Sequence, residues 1–125
     1  MIIGLGIDLI EIDKISTSLE SEAYLHKVFT DAEIEECRSV ANAIEHFAGK
    51  FAAKEACMKA VGSGIRQGVW FTQIEVLNEA SGKPVIQVRG EIGKIIDGLG
   101  DVSIHLSITH TRRSAAAVVI LEAGD

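Results

Sequence analysis

Two carboxylates and one lysine carry most of the chemical suggestion in this chain. Asp8 ends a run in which Ile3, Leu5, Ile7 and Leu9 alternate with Gly4 and Gly6. A carboxylate in an otherwise apolar strand loses hydration unless it meets a cation or hydrogen-bond donors. Two readings stay open on local sequence: Asp8 caps the helix that follows, or it is a metal ligand, with Gly4 and Gly6 leaving room on the same face. Glu55 lies four residues beyond Phe51 on the apolar stripe of a long helix, and Lys59 lies one turn further. A Glu–Lys pair at that spacing is most often solvated and contributes roughly 0.2–0.5 kcal/mol. Here it falls in the last turns of an Ala-rich helix, directly before Gly62-Ser63-Gly64. A hard cation such as Mg²⁺ is held by one or two carboxylates, waters and substrate phosphates, which Asp8 and Glu55 suit. Lys59 would add a point charge to those phosphates, and Gly62, Ser63 and Gly64 a backbone approach. The helix C-terminus carries negative partial charge, so metal and lysine must supply the attraction.

Other constellations carry less. Gly62-x-Gly64-x-x-x-Gly68 follows a helix rather than a strand and misses the dinucleotide fingerprint by one residue. His105 and His110 read as one sheet residue and one turn residue rather than a zinc pair. Cys57, mid-helix without a neighbouring His, reads as core.

The elements that must position these residues follow from periodicity. Residues 3–9 alternate as a strand, with Ile3, Leu5, Ile7 and Leu9 on the expected packed face and Gly4, Gly6 and Asp8 on a nearly bare one. A short helix is expected from about Glu11 to Leu19, with the polar stretch Ser16–Glu22 fraying after it. Thr30-Asp31-Ala32-Glu33 matches a capping box and opens a second helix. The central helix spans Ala43–Val61, where Ile44, Phe47, Ala48, Phe51, Ala52 and Met58 recur at threes and fours. Gly49, Ala53, Ala56 and Ala60 form a second stripe, small enough for another backbone to come close, and Gly62 stops the helix. Val69–Phe71 and Ile74–Leu77 read as strand, pairing through the turn Glu79–Pro84 with Val85–Val88. Glu91–Leu99 is a weak helix. Val102–Thr109 and Ala115–Leu121 form a second hairpin around a cationic turn. Residues 1–125 therefore read as one α+β domain, with helices packed on an antiparallel sheet.

Composition agrees with a globular chain: 47% of the 125 residues are hydrophobic and 24% charged. A net charge of −6 argues against a nucleic-acid partner held by bulk electrostatics. Apolar runs such as Ala115–Leu121 are far shorter than the roughly 20 residues of a membrane span. Asp8 and Glu11 interrupt the apolar start, so no secretory leader is expected. Cys37 and Cys57 are too few for a disulfide framework. A cytosolic protein with free thiols is expected.

Three blocks carry a resemblance: Gly4-Leu-Gly-Ile-Asp8-Leu-Ile-Glu11, Phe47-Ala-Gly-Lys50-Phe-Ala-Ala-Lys54-Glu55-Ala-Cys-Met-Lys59-Ala, and Leu106-Ser-Ile-Thr-His110-Thr111. Together they closely resemble the holo-(acyl-carrier-protein) synthases, the small phosphopantetheinyl transferases, over nearly the whole chain. The resemblance implies Mg²⁺-dependent transfer of 4′-phosphopantetheine from coenzyme A to a serine of an apo acyl-carrier protein, releasing adenosine 3′,5′-bisphosphate. It places the metal on Asp8 and Glu55 and a phosphate contact on Lys59. Glu55, directly or through a water it orients, is the candidate base, and Lys59 acts on the leaving phosphate. The resemblance sets Lys50, Lys54, Gly62, Ser63 and Gly64 against coenzyme A, and Ser107, His110 and Thr111 near its nucleotide end from a neighbouring subunit. It implies a homotrimer with active sites between chains. The carrier would dock on the first helix, where Lys14 and Lys27, with His26, face Glu11, Asp13, Glu20 and Glu22. That is thin basic charge for meeting an acidic partner.

Overall fold

The computed structural model describes residues 1–62 and 68–124. The chain runs β1 (Ile2–Glu11), α1 (Ile12–Ser18), α2 (Glu22–Val28), α3 (Asp31–Arg38), α4 (Ala43–Val61), a 3₁₀ turn (Phe71–Gln73), β2 (Ile74–Asn78), β3 (Pro84–Val88), α5 (Gly90–Asp97), β4 (Val102–His110) and β5 (Ser114–Ala123). Two antiparallel sheets result, one of order β1-β5-β4 and one of β2 with β3. The α+β architecture and both hairpins match the sequence expectation.

The long helix α4 is the organising element. It packs on the inner face of the three-stranded sheet and, with α5 and the β2–β3 hairpin, encloses the main core around Ala53, Ala56, Cys57, Ile74, Val76, Ile92, Val119 and Leu121. Its other flank closes a second core with α2 and α3, where Phe29 and Phe47 meet edge to face at 5.0 Å. Gly62 ends it in the left-handed conformation (φ +80°) and caps it through its own N–H on the Met58 and Lys59 carbonyls. Cys37 and Cys57 are free and buried, and burial pushes both thiols up to about 12, so neither is a nucleophile near neutral pH.

Three elements differ from expectation. The faces of β1 are inverted: Gly4, Gly6 and Asp8 face α4, while Leu5, Ile7 and Leu9 are 63%, 65% and 70% exposed. Glycine wins the inner face because α4 leaves no room for a side chain there. A Cβ on Gly6 would collide with the Ala56 carbonyl oxygen, and one on Gly4 with that of Ala60. Second, a helix over Glu22–Val28 follows the Ser16–Glu22 stretch, where no helix was expected; the Ser21 side chain accepts the Tyr24 N–H, and Leu25 and Val28 are buried. Third, Val69–Phe71 is not strand but leads into the 3₁₀ turn.

The capping box at Thr30 forms as expected and does more than cap. Glu33 is completely buried, and its Oε1 accepts the Thr30 N–H and the Lys54 Nζ, both at 2.8 Å. Its Oε2 accepts the Val76 N–H at 2.7 Å. Lys54 also donates to the Phe71 and Ile74 carbonyls. One turn along each helix, Lys50 donates to Glu36 (2.7 Å) and to the Val76 carbonyl, and Glu36 accepts the Asn78 N–H. The edge of β2 away from β3 thus has side chains where a neighbouring strand would be. Breaking such a buried pair by removing one partner costs about 3–5 kcal/mol.

The close approach of β1 to α4 is directly testable. Gly6→Ala should lower the unfolding free energy by about 3 kcal/mol or more in urea. An unchanged midpoint would mean that β1 and α4 can separate without cost.

Candidate functional site

The glycines on the inner face of β1 let Asp8 reach the last turns of α4. Asp8 is buried, and its Oδ1 accepts from the Lys59 Nζ at 2.9 Å. The same ammonium reaches the Ile7 carbonyl at 3.1 Å. The second carboxylate oxygen, Oδ2, is buried with no hydrogen-bond partner among the described residues. Glu55, one turn before Lys59, completes the group. Burial first, and the neighbouring Asp8 charge second, hold the Glu55 carboxyl above its ordinary range, while Lys59 acts in the opposite sense. Lys59 is raised by its hydrogen bond to Asp8 and by that carboxylate's charge. The three residues singled out from sequence are therefore one constellation, assembled from two stretches of chain.

The arrangement fits a divalent cation. Two carboxylates in contact repel unless a positive charge sits with them, and Asp8 Oδ2 is an oxygen buried without compensation. Two carboxylates with open positions suit Mg²⁺ sharing its shell with waters and phosphate. No group of three or more metal-ligating side chains occurs among the described residues, so the rest of a coordination shell would have to come from outside the protein.

Beside this group a cleft of about 380 Å³ opens, lined by Leu9, Ile10, Glu11, Lys14, Ile15, Ser18, Tyr24 and Phe51. Lys14 lies at its rim in an exposed pair with Glu11 at 3.7 Å. Lys27 is exposed on α2. Tyr24 went unrecognised in the sequence. It lines the cleft, and its phenol is raised by burial and then by the Glu55 charge. The cap Ser21 with Leu25 and Val28 at helical spacing was the available signal.

The remaining site candidates lie elsewhere. Lys54, expected against coenzyme A, is corrected: all three ammonium donors are spent on Glu33, Phe71 and Ile74, and the side chain is inaccessible. Lys50 is also buried and paired with Glu36, but it borders a cavity of about 160 Å³ together with His46, Asn78, Pro84 and His110. Thr111 and His110 line an adjoining hollow with Asn42, Glu45 and Arg112. Ser107 is on the outer sheet face, level with Val118 and Ile7. Gly62 is exposed at the end of α4, and Ser63 and Gly64 lie outside the described residues. Since β5 separates β1 from β4, the Asp8 group and the His110 group occupy opposite edges of the sheet within one chain.

Known proteins resemble this chain in sequence and in fold. The pattern describing the 4′-phosphopantetheinyl transferase superfamily matches residues 4–119. The holo-[acyl-carrier-protein] synthase of Koribacter versatilis is 45% identical over 124 residues, covering 98% of this chain and 99% of that protein. The crystal structure of a Bacillus anthracis holo-(acyl-carrier-protein) synthase in complex with CoA (3′,5′-ADP) superposes with a TM-score of 0.83 at 36% identity, covering 99% of both chains. The Neisseria meningitidis holo-[acyl-carrier-protein] synthase reaches a TM-score of 0.87 at 31% identity, over 98% of this chain and 99% of that one. Matched over nearly its full length and in its fold by these proteins, the chain belongs to the holo-(acyl-carrier-protein) synthase family of 4′-phosphopantetheinyl transferases.

Proposed function

We propose that this protein transfers 4′-phosphopantetheine from coenzyme A to a serine of an apo acyl-carrier protein, in a Mg²⁺-dependent reaction releasing adenosine 3′,5′-bisphosphate. The observation that carries the reading is the convergence of Asp8, Glu55 and Lys59 at the end of α4 in a chain of this family. The serine oxygen forms a bond to the phosphorus bearing the pantetheine, and the bond from that phosphorus to the bridging pyrophosphate oxygen breaks. Mg²⁺ held by Asp8 and Glu55 would neutralise the phosphate oxygens. Glu55, with its proton affinity raised above that of an ordinary carboxylate, takes the serine proton, directly or through a water. Lys59, more than half exposed, stabilises charge on the departing bisphosphate or donates a proton to it. Free thiols at Cys37 and Cys57 go with a cytosolic setting. Among the described residues, no helix is long and apolar enough to cross a membrane.

We further infer a homotrimer with active sites between chains. Exposed Leu5, Ile7 and Leu9 lie beside Val118 and Ile120 on the outer sheet face, a contiguous apolar patch of the kind that marks an interaction surface. Packing copies on that face would also answer the division of the site, bringing the edge with Ser107, His110 and Thr111 of one copy to the Asp8 edge of another. The nucleotide end of coenzyme A then lies by the cavity of Lys50, Asn78 and His110, and the carrier at the cleft bearing Lys14, with Lys27 on the neighbouring helix.

Intact-mass measurement of an apo carrier protein incubated with enzyme, coenzyme A and Mg²⁺ should show the phosphopantetheine adduct. Asp8→Ala and Glu55→Ala should each reduce its rate by at least about 10²-fold with cooperative unfolding retained; undiminished turnover in either removes that residue from the site. Ile7→Glu should convert the assembly to monomer in light scattering and abolish transfer, and a trimer surviving that charge would place the interface elsewhere. Folding raises the Glu55 carboxyl above its ordinary value near 4.5, so its protonated form favours the native state. That contribution is complete below the unfolded value and lost as pH rises through the folded one. In chelator at pH 7.5, Glu55→Gln should therefore raise the melting temperature, with the gain shrinking on acidification; a gain that grows toward acid would reverse the assignment.

A further inference from the structure

We propose that Lys59 is an internal counter-ion which holds Asp8 until a divalent cation takes its place, so that metal entry and release of Lys59 toward the phosphates are one exchange. The inference rests on the assignment of Asp8 and Glu55 as the metal ligands. Lys59 does not merely lie near the carboxylates. Its ammonium is bonded to Asp8 Oδ1 at 2.9 Å and anchored by the Ile7 carbonyl at 3.1 Å. The other oxygen, Oδ2, is sealed in with no donor among the described residues. A cation held by Asp8 and Glu55 would draw on the same carboxylate charge that Lys59 now neutralises.

The burial of the partners favours exchange over sharing. Asp8 is only 9% exposed in its side chain and is fixed by the close packing of β1 on α4, whereas Lys59 is 56% exposed. The lysine can leave, and the aspartate cannot. Two like charges on adjacent elements would otherwise push β1 from α4, so Lys59 keeps the carboxylates together in the free protein. A divalent ion supplies twice the charge in the same place and leaves the ammonium without its partner. Phosphate oxygens at the same metal are then the nearest acceptors. The free protein accordingly binds metal more weakly than two bare carboxylates would, and the same lysine that resists the metal becomes available to the substrate.

Mn²⁺ binding to the free protein, without coenzyme A, tests this by the electron paramagnetic signal of unbound Mn²⁺. Lys59→Met should tighten Mn²⁺ binding roughly tenfold, about 1.4 kcal/mol. Lys59→Gln, equally uncharged, should do the same, and Lys59→Arg should keep the original affinity. Lys14→Met, which removes a cation at the neighbouring cleft that does not touch Asp8, should leave it unchanged. Urea unfolding of each variant checks that it is folded. Unchanged or weaker binding in both uncharged Lys59 variants overturns the exchange, as does equal tightening by Lys14→Met, which would reduce the effect to net charge. Asp8→Asn is the separate control on the underlying reading: if it retains full Mn²⁺ affinity, the metal assignment itself falls, independently of what Lys59 does.

Discussion

The contact between bare glycine backbone on β1 and small residues on α4 governs this structure. At Gly6 and Gly4 the strand lies so near the helix that a methyl group would strike the Ala56 and Ala60 carbonyls. Nothing in that contact is chemical in itself. It is steric, and its consequence is positional: it carries Asp8, two residues beyond Gly6 on the same face, against a helix whose exposed turn presents Glu55 and Lys59. A side chain at either glycine would lift the strand and with it the carboxylate. The site thus depends on two positions that touch no substrate, and its precision comes from packed rather than mobile elements.

The same alternation has a second outcome. A strand whose small residues face inward must turn its large ones outward, because the pleat sends consecutive side chains to opposite faces. Leu5, Ile7 and Leu9 therefore stand on the surface together with Val118 and Ile120 of the paired strand. Moving along the sheet, the outer face becomes polar, with Ser103, His105, Ser107 and Thr109 on β4. The apolar end of that face is the part whose removal from water would drive association. The proposed assembly between copies and the division of candidate site residues are thus consequences of one packing choice.

Much of this was legible in the chain, for reasons that can be separated. The helix stop at Gly62 and the capping box at Thr30 are local devices written in a few residues, and both form. Asp8, Glu55 and Lys59 were visible because charge interrupts apolar periodicity. The orientation of β1 was not, because a period of two defines two faces without saying which is inward. Apolar bulk on one face suggested the wrong answer. The small-residue stripe of α4, also present in the sequence, is what decides it. Glu22–Val28 was missed because a helix of about two turns owes its stability to burial of Leu25 and Val28 rather than to propensity. Val69–Phe71 reads as strand because β-prone residues are used in the segment entering a 3₁₀ turn, where tertiary placement overrides propensity.

Three lysines on α4 show most clearly where sequence ends and structure begins. Lys50, Lys54 and Lys59 sit on one helix of one motif, and by type each is an equal candidate for a phosphate. Their partners divide them. Glu33 and Glu36, spaced three apart on α3, meet Lys50 and Lys54, spaced four apart on α4, and the remaining donors go to carbonyls of the 3₁₀ turn and β2. An ammonium whose donors are consumed inside the protein cannot serve a substrate without leaving a buried carboxylate behind, at a cost of several kcal/mol. Lys59 faces the other way, with its stem in solvent and its tip on a carboxylate that a metal can satisfy better. Charge availability, not charge, separates the lysines that build the scaffold from the one that can act.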